Sequence, residues 1–534
     1  MCGIAVAIGW DQAAATVERL LQDISHRGDI TDPILTLSPT VAMGTRRLRI
    51  VDAEGAVQPQ RSFDDRVLVC LNGQIYNHAE LRKELEALGV KFRTQSDTEV
   101  LASSLRVWGA GALKRINGMY SFVAVDAVTG EFAAARDPFG VKPLYLIQSG
   151  NSFLFCSEIR PLLASVEKGD VLFLPPGHLL TRAAVMRFES IFADQAVPTI
   201  QHDPTKLDAA LSSAVHVRLP TDLPFALMFS GGVDSTLIAH YARQIHPNAP
   251  GYFLGGPQAP DYRYAAEYAD RTGFDLRCVA IDDRGDPLAM IRDVVATTEA
   301  FEPSVIRNGF CNYLLSRRIH ENGFRVALCG EGADELFAGY PPLEVAFADD
   351  AAVGGFVRDQ YVGNMHRGNL QRLDRCGMRF QLEVREPFLD PTVATYALGL
   401  PPGILVESDS RGLRGKAPLR SLWALHQDRL PISIRDRLKT PLQEGAGFEK
   451  SVNDSPWACL AEDWISDRDF AEGRRRFAAF DLRSKEEFLY LRELAETLDV
   501  ARVPHLTARA RIAMPTMKNP GMAKRYLSEH LLEA

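Results

Sequence analysis

Cys2 stands second in the chain, within Met1-Cys2-Gly3-Ile4-Ala5. Removal of the initiator methionine would leave a thiol and a free α-amine on one residue. An α-amine with a reference pKa near ~8 accepts a proton at neutral pH as no backbone amide does. Thiol and amine together form a self-contained nucleophile and base. Taken alone, a cysteine here reads as a small apolar residue opening a strand. Residues downstream change that reading. A thiolate attacking a carboxamide needs oxyanion donors and a clamp for the substrate's charged ends. Asn72-Gly73 offers an amide and a backbone N–H at one place, Arg47 a bidentate partner for a carboxylate, and Asp97 a partner for an ammonium group. Each has a plain alternative: an Asn-Gly hairpin turn, a solvated arginine, and an aspartate capping a helix.

A second set lies in the other half. Ser230-Gly231-Gly232-Val233-Asp234-Ser235 falls between an expected strand and an expected helix. Its glycines let backbone N–H groups approach phosphate oxygens, and a helix N-terminus favours an anion. Ser230 and Ser235 add hydroxyl donors, and Asp234 is placed to help hold Mg2+. The spacing is not the GxxxxGK[ST] loop of enzymes that transfer the γ-phosphate. Further on, Gly330-Glu331-Gly332-Ala333-Asp334-Glu335 puts three carboxylates in a Gly-containing segment after an apolar run. In a parallel-sheet fold they rim the ligand crevice; elsewhere they are a solvated acidic loop.

The elements that must carry these residues change character along the chain. The first ~190 residues read as β-rich, with runs such as Val67 to Leu71 and Phe122 to Val125, and turn signals at Asn72-Gly73, Asn117-Gly118 and Thr129-Gly130. Helices are expected over Ala79 to Leu88 and Thr98 to Val107, and Pro175-Pro176-Gly177 closes the region. A less patterned stretch, Phe192 to Pro204, reads as a linker. From about Leu207 strands and helices alternate: Ala226 to Phe229, a helix from Ser235, Gly251 to Leu254, and Val326 to Leu328. Such alternation implies a parallel sheet with ligands outside the strands' carboxyl ends. Beyond about Asp350 the chain reads as mainly helical.

Composition bounds the rest. A chain of 534 residues, 46% hydrophobic and 24% charged, is expected to form at least two globular domains. No apolar run is long enough for a membrane span, and the N-terminus has no secretory pattern. Eight scattered cysteines without a CxxC argue for reduced thiols rather than disulfides or zinc. A net charge of −8 without a basic block argues against nucleic acid.

Cys2, Ser25-His26-Arg27-Gly28-Asp29, the Arg47 segment, Asn72-Gly73-Gln74-Ile75-Tyr76-Asn77 and Ser96-Asp97 resemble, in order, the glutaminase domain of class II glutamine amidotransferases. Arg136 to Tyr145 and Ser157-Glu158-Ile159 match it as well. Ser230 to Ser235 resembles the PP-loop of ATP pyrophosphatases, and Cys329 to Glu335 the SGEGxDE segment of glutamine-dependent asparagine synthetases. Glu383 to Asp390 resembles that family's EARVPFLD segment. The resemblance runs to about residue 500.

It implies an α+β N-terminal-nucleophile sandwich followed by an α/β PP-loop ATP pyrophosphatase domain with a largely helical C-terminal part. The expected boundaries are 2–190 for the glutaminase, 191–206 for the linker and 207–534 for the synthetase. The resemblance makes Cys2 the nucleophile with its own amine as base, and Asn72 and Gly73 the oxyanion hole. Arg47, Leu48, Val51, Gln74 and Asp97 bind glutamine. Ser230, Gly231, Gly232, Asp234 and Ser235, with Leu254, Cys329 and Gly330, bind ATP, and Asp234 binds Mg2+. Glu331 takes a proton in amide formation, Lys439 stabilises departing pyrophosphate, and Arg307, Asp334 and Arg385 lie where the acceptor binds. Arg385 has a second reading, an ion pair serving only the fold.

Several positions depart from the family pattern. Gln74 stands for glutamate, Asp29-Ile30 for Pro-Asp, Val305 for a hydroxyl residue, Cys329 for serine and Glu386 for an apolar residue, and the tail from about Ala501 diverges. Together these features imply an enzyme that hydrolyses glutamine, passes ammonia inside the protein and amidates an adenylated carboxylate, with ATP and Mg2+. Aspartate is the leading acceptor, giving asparagine, AMP and pyrophosphate. The competing readings are the same chemistry on another carboxylate in specialised biosynthesis, a catalytically silent ligand-binding or regulatory homologue, and a stand-alone glutaminase. A cytoplasmic protein, a homodimer as in many family members, and no nucleic-acid or membrane partner complete the expectation.

Overall fold

The computed structural model describes residues 2–52, 54–188, 199–281, 285–410, 412–451 and 454–507. The chain divides into two compact units, and neither is continuous in sequence. Residues 2–188, 377–383 and 494–507 make up the first, and 199–376 with 384–493 the second. The linker expected over 191–206 lies partly outside the described residues.

The first unit is built on two antiparallel sheets. In one, the strand Cys2–Ile8 sits centrally between Ser152–Cys156 and Val41–Arg47. In the other, Val67–Ile75 pairs with Gly118–Asp126, which pairs in turn with Phe132–Arg136. Alternation along the strands explains why they pack. Ile4, Val6, Ile8 and Met43 of one sheet meet Leu68, Cys70, Val123 and Val125 of the other in one buried cluster. The odd-numbered partners Val69 and Leu71 point the opposite way, onto Leu81, Leu85, Val100 and Leu101 of the helices His78–Ala87 and Asp97–Trp108. The helix Ala13–Asp23 covers the first sheet with Val17, Leu20 and Leu21. The result is a sandwich of two sheets between helices.

One turn expectation is corrected here. Asn72-Gly73 does not end a strand; both residues lie inside the nine-residue strand Val67–Ile75. Gly73 makes this possible, because its φ of +142° is poorly tolerated by other residues and a Cβ there would sit 2.0 Å from the Met119 carbonyl oxygen. The region also extends past Pro175-Pro176-Gly177, which is followed by the strands His178–Thr181 and Val185–Arg187.

The second unit holds a five-stranded sheet ordered Leu276–Val279, Gly251–Leu254, Phe225–Met228, Val326–Leu328, Glu383–Arg385. The first four strands are parallel. Phe225–Met228 comes first in sequence yet lies in the middle, with its successors on opposite sides. That reversal of winding opens a crevice at the carboxyl ends of Phe225–Met228 and Val326–Leu328. The helix Val233–Ile245 follows the first of these strands and the 19-residue helix Pro303–Glu321 precedes the second. Beyond Asp350 the described regular elements are helices apart from Glu383–Arg385 and the short hairpin Glu407–Asp409 with Gly412–Arg414. No described helix is long and apolar enough to cross a membrane.

Candidate active sites

The first site forms around the start of Cys2–Ile8. Antiparallel pairing sets Cys2 opposite Arg47, so two residues 45 apart in sequence become neighbours through register alone. The Cys2 backbone nitrogen donates to Asn72 Oδ1 at 3.2 Å. Asn72 is fully buried, and its Nδ2 has no partner among the described residues. An orphaned buried donor beside a thiol costs stability unless something else uses it. A developing oxyanion at Cys2 would be such a user.

Asp32 receives the Arg47 Nε with both oxygens, at 3.1 and 2.8 Å, and both side chains are buried. Arg27 is buried as well; its Nε donates to the Cys2 carbonyl at 3.3 Å and its Nη1 to Glu158 at 3.0 Å. The same Glu158 oxygen meets His26 Nε2 at 2.9 Å. Asp97 Oδ2 accepts from the Ile75 amide at 2.9 Å, at the far end of the Asn72-Gly73 strand. Its position as first residue of a helix does not make it the cap, since Ser96 accepts from the Thr98 amide instead. Burial pushes the Asp97 carboxyl up, against the Ile75 amide and His78. Burial likewise pushes the Cys2 thiol up, with the Leu48 amide and Arg47 pulling the other way. Gln74 and Leu48 are buried and Val51 is half-buried.

The second site forms in the crevice of the parallel sheet. Ser230, Asp234, Ser235, Leu254, Cys329, Gly330, Glu331, Asp334 and Lys439 line one cavity of about 130 Å³. Ser230 and Ser235 hold each other, Oγ to Oγ at 3.1 Å, and the Gly232 amide donates to Ser230 Oγ at 3.3 Å. Gly231 turns the loop at φ +67°, and its carbonyl accepts from Arg437 Nη1 at 3.0 Å. Four charges follow in a row. Lys416 Nζ bridges Asp234 Oδ2 at 2.5 Å and Asp334 Oδ1 at 2.6 Å, and Lys439 Nζ meets Asp334 Oδ2 at 2.6 Å. Burial works to raise Asp334, but the two ammonium groups outweigh it and hold the carboxyl at about 2. For Asp234, burial and the neighbouring Asp334 carboxylate prevail over Lys416, in contact, and the Lys439 charge, and the carboxyl is raised. Its Oδ1 is buried without a partner among the described residues. That orphan acceptor suits a cation, although no described cluster of three or more His, Cys, Asp or Glu could hold a metal by itself.

Glu331 Oε1 accepts from Asn369 Nδ2 at 2.7 Å and Arg372 Nη2 at 3.2 Å. Glu335, one turn on, accepts from the same Asn369 nitrogen and from the Tyr340 hydroxyl, each at 2.6 Å. Burial and the charges of Glu331 and Asp334 push Glu335 up to about 8. Two sequence candidates are engaged elsewhere. Arg307 is buried against Glu486, at 2.5 Å, and Glu449, at 3.5 Å. Arg385, fully buried, donates to the Arg218 carbonyl at 2.5 Å, next to the Arg218–Asp390 pair. Neither lines the cavity. Val305 is buried in the helix carrying Arg307. Sequence reasoning missed Gln58, whose Nε2 lies 3.9 Å from Cys2 Sγ, and Asp32 at the first site, and Lys416, Asn369 and Arg372 at the second. They come from loops and a helix whose spacing to the motifs is set only by the folded chain.

The glutamine amidotransferase domain model matches residues 1–175, and the asparagine synthase model matches 206–353 and 355–512. Among curated proteins, a probable glutamine-hydrolyzing asparagine synthetase of Schizosaccharomyces pombe is 31% identical, over 92% of each chain. A glutamine-hydrolyzing asparagine synthetase of Triphysaria versicolor is 30% identical over 84% of this chain and 78% of its own. A probable one of Dictyostelium discoideum is 28% identical over 92% of each.

Proposed function

Because the chain belongs to the glutamine-hydrolysing asparagine synthetase family, we propose that it makes asparagine from aspartate, glutamine and ATP at the two sites just described. The observation that carries the reading is the convergence of Ser230, Asp234, Glu331, Asp334 and Lys439 on one cavity. A glutaminase needs no such cavity.

At the first site the Cys2 sulfur attacks the side-chain carbonyl carbon of glutamine, while its proton goes to the amine that processing would expose on the same residue. Negative charge gathers on the carbonyl oxygen, where Asn72 Nδ2 and the Gly73 amide receive it. Collapse of this intermediate breaks the C–N bond, ammonia leaves, and water then frees glutamate from the thioester. Arg47 takes the carboxylate of glutamine, and Asp97 with Gln74 its ammonium end. Gln74 keeps an acceptor without a charge, so ammonium binding rests mainly on Asp97.

At the second site the side-chain carboxylate of aspartate attacks the α-phosphorus of ATP and pyrophosphate leaves. Ser230, Gly232 and Ser235 supply phosphate contacts at the start of the helix, with Leu254, Cys329 and Gly330 around the nucleotide. Lys439, Lys416, Arg420 and Arg437 border the adjoining cavity and balance the charge on pyrophosphate. Mg2+, when bound, neutralises phosphate charge, and Asp234 with Asp334 would hold it. Ammonia, delivered unprotonated, attacks the acyl carbon, AMP departs, and Glu331 takes the surplus proton. Asp334 borders the acceptor. Arg307 and Arg385 act through the surrounding framework in this state.

The test is pyrophosphate release from ATP·Mg2+ and glutamine, with and without aspartate, with the product identified by mass. Aspartate-dependent pyrophosphate and asparagine are expected. Glutamate formation without either would move the search to another acceptor, and no turnover at all would mark a silent homologue. Cys2→Ala is expected to abolish glutamine use and keep synthesis from added ammonia. Loss of both would refute two separate sites.

A further inference from the structure

We propose that Gln58 is the positioning residue of the glutamine site, setting the Cys2 thiol, the Asn72-Gly73 strand and the Arg47 clamp in one arrangement. This rests on the glutaminase reading above. Gln58 lies in neither sheet and is buried. Its carboxamide pairs with both backbone groups of Leu71: Oε1 accepts from the Leu71 amide at 2.7 Å and Nε2 donates to the Leu71 carbonyl at 3.3 Å. Leu71 is the residue directly before Asn72. A carboxamide fixed on both edges cannot rotate, so its remaining N–H has a set direction. That nitrogen lies 3.9 Å from Cys2 Sγ and donates to it.

The backbone of Gln58 completes the arrangement. Its amide donates to Asp32 Oδ2 at 3.0 Å, and that oxygen also receives Arg47 Nε at 2.8 Å. One residue therefore touches the nucleophile, the strand that presents the oxyanion donors and the anion that orients the arginine. The chemistry suits a neutral donor. A buried thiolate needs N–H groups aimed at it, and they act more strongly away from water. A carboxylate in the same place would repel the thiolate and add to the charge of Asp32. A cation would compete with Arg47 for the carboxylate of glutamine.

Gln58→Glu in the full chain separates this role from simple bracing, because it keeps the acceptor for the Leu71 amide and replaces the donor with negative charge. The charged and titratable groups around the thiol are the α-amine, Asp32, Arg47 and Cys70, with Arg27 on the Cys2 carbonyl. Alkylation of Cys2 by iodoacetamide, read on the Cys2 peptide, is expected to need a pH about one unit higher than in the parent protein. Glutamine-dependent kcat is expected to fall by roughly 30-fold or more, KM for glutamine to change less than about threefold, and ammonia-dependent synthesis to stay. An unshifted alkylation profile with glutamine turnover within about threefold would overturn the proposal. If Gln58→Glu also loses ammonia-dependent synthesis, uncharged Gln58→Met decides. Slowed Cys2 alkylation and at least about tenfold lower glutamine turnover support the role, and values within about threefold overturn it. A parent protein that hydrolyses no glutamine would instead refute the glutaminase reading.

Discussion

At the scale of single residues, the two sites differ in what they leave unsatisfied. Among the described residues, the buried polar atoms left unpaired include a donor beside Cys2, Asn72 Nδ2, and an acceptor in the crevice, Asp234 Oδ1. Each suits the charge its reaction brings. Asn72→Ala is accordingly expected to lower glutamine-dependent kcat by about 10²-fold, with KM for glutamine and ammonia-dependent synthesis little changed, as steady-state kinetics with each nitrogen source would show. Glu335 gives a second expectation. Its carboxyl is raised to about 8, so the folded protein keeps a proton there that the unfolded chain releases near its ordinary value of 4.5. Between those values folding binds a proton, and this group's contribution to stability falls as pH rises. Glu335→Gln removes that cost, so thermal melting should show the variant gaining on the parent by about a few degrees between pH 5 and pH 8. That Ser230, Asp234, Glu331, Asp334 and Lys439 share one crevice was legible in the sequence motifs. Lys416 was not, because its bridging position depends on an irregular turn, with φ +63°, that no pattern marks.

At the scale of elements, the sheet order does most of the arranging. Phe225–Met228 and Val326–Leu328 are about a hundred residues apart and pair directly, with Ala226 opposite Ala327. That pairing brings the Ser230 loop and the Glu331 loop to one crevice. The alternation of strands and helices made the crevice readable, and the three expected strands lie within one residue of their observed positions. Asn72-Gly73 was misread as a turn because local preference for turns is strong, whereas pairing of Gly73 with Tyr120 continues the ladder. Gly231 allows a test at this scale. A Cβ there would lie 2.7 Å from the Ala265 amide nitrogen, at a φ of +67°. Gly231→Ala should cost about 1–2 kcal/mol, measurable by denaturant unfolding. It should also cut aspartate-dependent pyrophosphate release by about tenfold or more while glutamine hydrolysis persists.

At the scale of the whole molecule, the first unit borrows chain from far downstream. Gln381 Nε2 donates to the Gly28 carbonyl at 3.2 Å, beside the arginine that holds the Cys2 carbonyl. Arg502 donates to the carbonyls of Gly169 and Val166, its own carbonyl accepts from the Val171 amide, and His505 packs against Tyr145 and Phe173. A fragment of residues 1–191 lacks all of these contacts. It should melt well below the full chain and hydrolyse glutamine far more slowly, which circular dichroism and a glutamate assay would establish. Sequence reading placed the first domain's end near residue 190 because strand patterning stops there, and short downstream segments leave no such mark. The borrowed segments also order events in time. At roughly 5–20 residues per second, a ribosome takes roughly 15–60 s to travel from residue 191 to residue 507. Throughout that interval the half that splits glutamine is unfinished, while the half that consumes ammonia is being made. A newborn chain should therefore reach its full capacity to release ammonia only when its recipient is already at hand, and a truncated product of failed translation should consume little glutamine.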